Sequence, residues 1–316
     1  MRTPTITGMA LTSALFIILS SGCDDGDDAA IDNTVAPAGD TPKAETRSAS
    51  INFDGRVGDD PFVCGTTYEG VGTGIANRFR ANDFRLYLSD PALVKDTGEE
   101  VPLSLDQDEK WQYRNVVMLD FEDGCDTGTG ETHRAVTGSI PNDGDVGFTG
   151  VCFTLGVPFE HNHLDNTLQP SPLNVSGMFW SWQGGHKFVR IDGVGDPEGA
   201  AVGYNVHLGS TGCASDGKTS NPAAECRFQN RPHVCLNGFD ASVDTVGVYL
   251  DRLLENSDVA TNVAGSAPGC MSGNSDPECI EILPKFGLDF VFDDGQNAPQ
   301  NYPGEEPQRF FGVLPR

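Results

Sequence analysis

The sequence predicts an all-β fold, a disulfide-stapled β-sandwich with long loops and at most one or two short helices. Three observations carry that expectation. Short segments alternate apolar and polar residues, the cysteines form an even set once one near the N-terminus is set aside, and a helical period is persuasive in one stretch alone.

In chain order, Met1-Arg2-Thr3, the apolar run from Met9 to Leu19 and Ser20-Ser21-Gly22-Cys23 have the layout of a secretory signal peptide, so 1–22 stand outside the fold. The apolar centre falls short of the roughly 20 residues that cross a bilayer. Small residues directly before Cys23 resemble the lipobox of bacterial lipoproteins, in which that cysteine is acylated. The match departs at Ser20, where Leu is usual, with Leu19 one position early. A lipidated Cys23 would anchor the chain to a membrane; an ordinary cleaved signal would leave it a spare thiol. Residues 23–48 are Asp, Ala, Thr and Pro with few large apolar side chains, which predicts a disordered acidic tether.

The remainder, 49–316, reads as one domain, with strand signals from Ser50 to about Phe292. Period-two alternation marks Phe84 to Ser89, Lys187 to Asp192 and Leu288 to Phe292; Val116 to Phe121, Gly150 to Leu155 and Tyr204 to Leu208 are further candidates. Turn-rich stretches such as Pro141-Asn142-Asp143-Gly144-Asp145 separate them. Val243 to Leu254, with Val246, Tyr249, Leu250, Leu253 and Leu254 on one face, predicts a helix. One helix cannot supply the crossovers of a parallel sheet, which favours a sandwich.

Setting Cys23 aside leaves Cys64, Cys125, Cys152, Cys213, Cys226, Cys235, Cys270 and Cys279. None of these has C-x-x-C spacing, so zinc ribbons, iron–sulfur clusters, thioredoxin-type redox motifs and attached c-type haem lack their signature. Disulfides are the expectation, with Cys213–Cys226 and Cys270–Cys279 as local closures. The charge balance, 46 acidic against 20 basic side chains for a net −26, opposes binding to nucleic acid or anionic membranes. Motifs for a nucleophile elbow, H-E-x-x-H, a P-loop and a dinucleotide-binding turn are all missing, which counts against an enzyme.

Histidines are the remaining chemistry. His161-Asn162-His163, in extended backbone, would put two imidazoles on one side within reach of a metal ion. His207 ends the Tyr204–Leu208 segment beside Gly209-Ser210-Thr211-Gly212-Cys213. Between them, Met178-Phe179-Trp180-Ser181-Trp182-Gln183-Gly184-Gly185-His186 holds two of the three tryptophans, a density that core packing would equally explain.

Pro172-Leu173-Asn174, the Met178–Gly184 run, Lys187-Phe188 and Val206-His207-Leu208-Gly209-Ser210-Thr211-Gly212-Cys213 resemble the MbnP-like copper-binding family, the four-cysteine partner of a "metallo-mystery pair". Phe84 to Asp90 and Val157-Pro158-Phe159 to His163 fit the same pattern. The resemblance implies a non-enzymatic, exported copper protein in the periplasm or on the outer surface. Its implied partner is a di-haem cytochrome c peroxidase-like protein that oxidises Trp180 or Trp182 to kynurenine. His163 and His207 are then the expected copper ligands and His161 a reserve. His186 stands where the family pattern has an aromatic residue and is not expected to ligate. With the cysteines in disulfides, a His₂Cys blue-copper site is not expected, although Met178 could add a thioether. Two other readings remain at this stage: an adhesion or ligand-binding sandwich whose tryptophans pack the core, and a hydrolase assembled from loops.

Overall fold

The computed structural model describes residues 45–314 apart from 75–76, 126–129, 143, 145–146 and 217–219. The leader, Cys23 and nearly all of the tether lie outside the described residues. The principal strands are β1 (Thr46–Val57), β2 (Arg78–Lys95), β3 (Val116–Asp120), β4 (Ala135–Pro141), β5 (Phe148–Leu155), β6 (Val189–Gly195), β7 (Val202–Leu208), β8 (His233–Asn237), β9 (Thr245–Tyr249) and β10 (Phe311–Val313). One sheet runs β10-β9-β1-β4; the other runs β8-β5-β2-β6-β7, with β3 also paired to β2. β1 begins at Thr46, opposite Pro141 of β4, and so takes in residues that composition assigned to the tether.

The period of two does what the sequence predicts. In β1, Ile51, Phe53 and Val57 turn inward while Asn52 stays exposed. Inward residues of the two sheets meet as rings: Phe53 lies 5.6 Å from Phe153, and Phe153 4.9 Å from Phe311, both edge-on. Fully burying such a side chain contributes about 1.5–3 kcal/mol. In β2, Phe84 faces this core beside Phe62 and Phe121, so Asp83, Arg85 and Tyr87 occupy the sheet's other face.

That second face positions the site. Register aligns Asp120 of β3, Arg85 of β2, Arg190 of β6 and His207 of β7 in one row across four strands. Asp83, Asp192 and Asn205 form the next row. The long connection from β5 to β6 folds over this face: the buried Tyr87 hydroxyl donates to the Pro172 carbonyl at 2.7 Å, and its ring meets His186 edge-on at 5.6 Å.

One expectation is corrected. Val243 to Leu254 is not a helix: Thr245–Tyr249 is strand β9, and only Leu250–Leu254 is helical. β9 lies parallel to β1 from Asn52↔Thr245 to Arg56↔Tyr249, and Val246 and Val248, two residues apart, are both fully buried. β-branched residues captured between two strands override a helical period. The Lys187 to Asp192 and Leu288 to Phe292 segments start their strands later than the alternation suggests, at Val189 and Phe290.

Four disulfides staple the fold. Cys213–Cys226 and Cys270–Cys279 close as expected, and Cys64–Cys125 and Cys152–Cys235 complete the set of eight.

Candidate metal centre

The β5–β6 connection leaves Leu155 through Gly156 and turns at Pro158, whose carbonyl accepts from the N–H groups of His161 and Asn162 at 3.0 and 2.9 Å. These bonds close a single helical turn, Phe159–Asn162. His161 and His163 therefore do not share a side, as they would in extended backbone; two helical steps separate side chains by about 200°. His161 lies beside Tyr113, ring centres 6.2 Å apart. His163 points elsewhere, into the protein.

The His163 Nδ1–H donates to the Trp182 carbonyl at 3.0 Å, which leaves the ring's lone pair on Nε2. That nitrogen faces the Asn162 side-chain amide at 3.2 Å and Cys226 Sγ at 3.4 Å. Burial pushes the His163 pKa down, against backbone acceptors at Trp182 and Gln183 that favour the charged ring, so the imidazole is neutral at neutral pH. His163, Cys213 and Cys226 lie close enough to share an ion, but both sulfurs are committed to their disulfide.

A small hairpin, Phe179–Ser181 with Gly185–His186, carries Trp180. Gly185 has φ +71°, and a Cβ there would strike the Asn162 amide, whose Oδ1 accepts from the His186 N–H at 2.7 Å. His186 is wholly buried, its two ring nitrogens 2.9 Å from the carbonyls of Asn162 and Leu173. Both nitrogens are occupied, consistent with a residue that anchors the hairpin. Met178 is fully buried, whereas Met271 lines the surface beside Trp180.

The Trp180 indole rests on Gly209: a Cβ on Gly209 would lie 2.4 Å from the ring, so only glycine admits this approach. The same placement sets Trp180 6.4 Å from the His207 ring, centre to centre and tilted by 53°. His207 donates from Nε2 to Asp192 Oδ1 at 2.5 Å, which leaves Nδ1 to carry the lone pair of the neutral ring. Asp192 in turn takes two bonds from Arg190, at 2.8 Å from Nε and 2.5 Å from the terminal nitrogen. Burial opposes ionisation of Asp192, but the His207 and Arg190 hydrogen bonds outweigh it and hold the carboxyl well below the usual range. Behind this pair, Arg190 also reaches the buried Asp83 at 3.2 Å, and Asp83 is bound by Arg85. Trp180, Gln183, Ser210, Cys213 and Met271 border an open groove of about 650 Å³ over the site.

The structure thus joins His207 to Trp180, and His163 to the Trp182 backbone and a disulfide. The Asn162 amide reaches His163 and, at 3.4 Å, Ser210 in the loop that follows the His207 strand. Sequence reasoning missed Asp192, Arg190 and Asn162. Arg190 and Asp192 alternate with Val189 and Ile191, which placed both charges on one face; what they face depends on strand order and could not be read from spacing.

The chain matches the family model MbnP over residues 46–272. Among solved structures it is similar to MbnP from Methylosinus trichosporium, at 30% sequence identity with a TM-score of 0.70. That likeness covers 85% of this chain and 98% of the other. No curated protein sequence matches it.

Proposed function

The chain belongs to the MbnP family, and from that premise we propose that it binds copper at the cell envelope through His207, beside Trp180. One observation carries this reading: a carboxylate fixes the His207 tautomer from behind, as metal-binding imidazoles are commonly fixed, and leaves Nδ1 as the donor. His163, neutral and with its lone pair on Nε2, is the second imidazole, linked to the His207 strand end through Asn162 and Ser210. His161, turned toward Tyr113, is the reserve ligand. Nitrogen donors favour copper most among divalent first-row ions, and imidazole serves both of its common oxidation states. Copper held there would supply a redox-active cation; thiolate ligation is closed off by the disulfides.

The chain acts as binder and as substrate rather than as catalyst. Trp180, half-buried and open to the groove, is the residue we assign to oxidation by a di-haem cytochrome c peroxidase-like partner. Its conversion to kynurenine, with two equivalents of peroxide as the oxidant at the partner's haems, would cleave the indole C2–C3 bond, release C2 as formate and leave a ketone and an aniline nitrogen beside His207. Trp182, whose carbonyl holds His163, would keep its indole. The signal-like leader and Cys23 support export and a lipid anchor in the periplasm or on the outer surface.

The test is copper content of the exported chain, produced with and without the haem enzyme, together with the mass of its Trp180 peptide. Copper near one ion per chain, lost in His207→Ala, is the expected result. A folded chain that takes up no copper under either condition refutes the proposal.

A further inference from the structure

A second group of metal-ligating side chains lies on β8, away from the histidines described above. Cys152 and Cys235 are directly opposite one another in the antiparallel β5–β8 pair, their Cα atoms 4.1 Å apart. Cys235 is exposed, while every other disulfide cysteine among the described residues is buried or half-buried. His233, two residues before Cys235, emerges on the same face of the strand. Its Nε2 stands 3.3 Å from Cys235 Sγ and 3.4 Å from Glu100 Oε1, and Thr154 Oγ1 lies 3.4 Å from its Nδ1. Ligand atoms of Glu100, Cys152, His233 and Cys235 all fall within 4.8 Å of one another.

We propose that the Cys152–Cys235 disulfide is a thiol-operated latch, and that opening it creates a site for a borderline-soft divalent cation of the zinc class. Closed, the group offers one imidazole and one carboxylate. Opened, it offers two thiolates as well, and two sulfurs, a nitrogen and an oxygen are a tetrahedral zinc donor set. A dithiol of the cell envelope, such as a reduced C-x-x-C protein, is the reductant. One of its thiolates attacks the exposed Cys235 sulfur, and Cys152 leaves as thiolate. The dithiol's second sulfur then displaces Cys235 as it closes its own disulfide. Two electrons pass from the dithiol to the cystine, and the cysteine protons go to solvent when the cation binds.

The fold leaves room for this change. β8 is an edge strand whose one neighbour in the sheet, among the described residues, is β5. Beyond it a groove of about 840 Å³ separates β8 from β10, the edge of the other sheet. β8 can therefore shift outward by the small amount that lets the two sulfurs part, with Val234 keeping its place in the core.

The experiment uses the full chain carrying His207→Ala, so that the first centre does not contribute. The protein is titrated with dithiothreitol under anaerobic conditions and desalted. Free thiols are mapped by alkylation and peptide mass, and zinc uptake is compared with the unreduced chain. Cobalt replaces zinc in parallel, since thiolate-to-cobalt charge transfer reports the sulfur ligands directly. The expected result is that Cys152 and Cys235 are alkylated before the other six, and that the opened chain takes up one additional zinc. That uptake should be lost in His233→Ala, an exposed substitution that leaves the disulfide intact. The proposal is overturned if another pair opens first, if the opened chain unfolds, if it gains no zinc, or if His233→Ala binds zinc as tightly. None of these outcomes bears on copper at His207, because the two sites share no residue.

Discussion

Asp192 Oδ1 and His207 Nε2 lie 2.5 Å apart, with Arg190 bound to the other carboxylate oxygen. The carboxylate therefore sets both the orientation of the imidazole and the nitrogen it can offer. Asp192→Asn should keep the fold and weaken copper binding about 10–100-fold, the usual cost of losing such a support. Competition titration against a copper chelator measures it, and an unchanged affinity would mean that His207 does not ligate through Nδ1.

Gly209→Ala tests the seat of Trp180. The added methyl would stand 2.4 Å from the indole and 2.9 Å from the His186 carbonyl, so the ring must move. We expect a destabilisation of about 1–3 kcal/mol, as for other overpacked sites, a changed tryptophan emission and weaker copper binding. Retention of wild-type emission and affinity would show that the contact is dispensable.

Asp120 gives a signed pH effect. Burial pushes its carboxyl from 3.8 up to about 7, with Glu122 adding to the rise and Arg85 opposing it. Between those values the folded state binds the extra proton, so stability contributed by this group is present below 3.8 and is lost as pH rises through 7. Asp120→Asn should therefore gain stability over wild type at about pH 9 and show a clearly smaller gain at about pH 5, in urea unfolding at each pH. His163 and His186 act in the opposite sense. Burial lowers both, so their contribution is present above 6.5 and declines as pH falls below it.

Replacing Cys213 and Cys226 together by Ser removes a staple that spans 13 residues and lies against His163. Loop entropy predicts a loss of about 3 kcal/mol, read as a lower denaturant midpoint. The His163 ring should then lose its fixed setting, visible as a change in its NMR line shape.

Much of this fold was legible because strands whose two faces differ in polarity write their pattern locally. Phe84 to Ser89 and Tyr204 to Leu208 alternate, and both became strands. The two short cysteine loops were legible for a similar reason, since nine and 13 residues leave few partners within reach. Val243 to Leu254 misled because residues in a buried strand followed at once by a helical turn mimic a helical period. In the site, His207 and Trp180 could be named from their motifs, but not their contact, which depends on Gly209 and on the hairpin fold. His161 and His163 were paired on an assumption about backbone that Pro158 overturns by starting a turn. Asp192 was invisible because its partner is 15 residues away across a strand pair.

The most direct measurement is an anomalous difference map at the copper absorption edge, from a crystal of the copper-loaded chain. A single strong peak bonded to Nδ1 of His207, on the Trp180 side of the ring, is the result this account predicts. A peak at another group, such as His233 with Glu100, and none at His207 would contradict it.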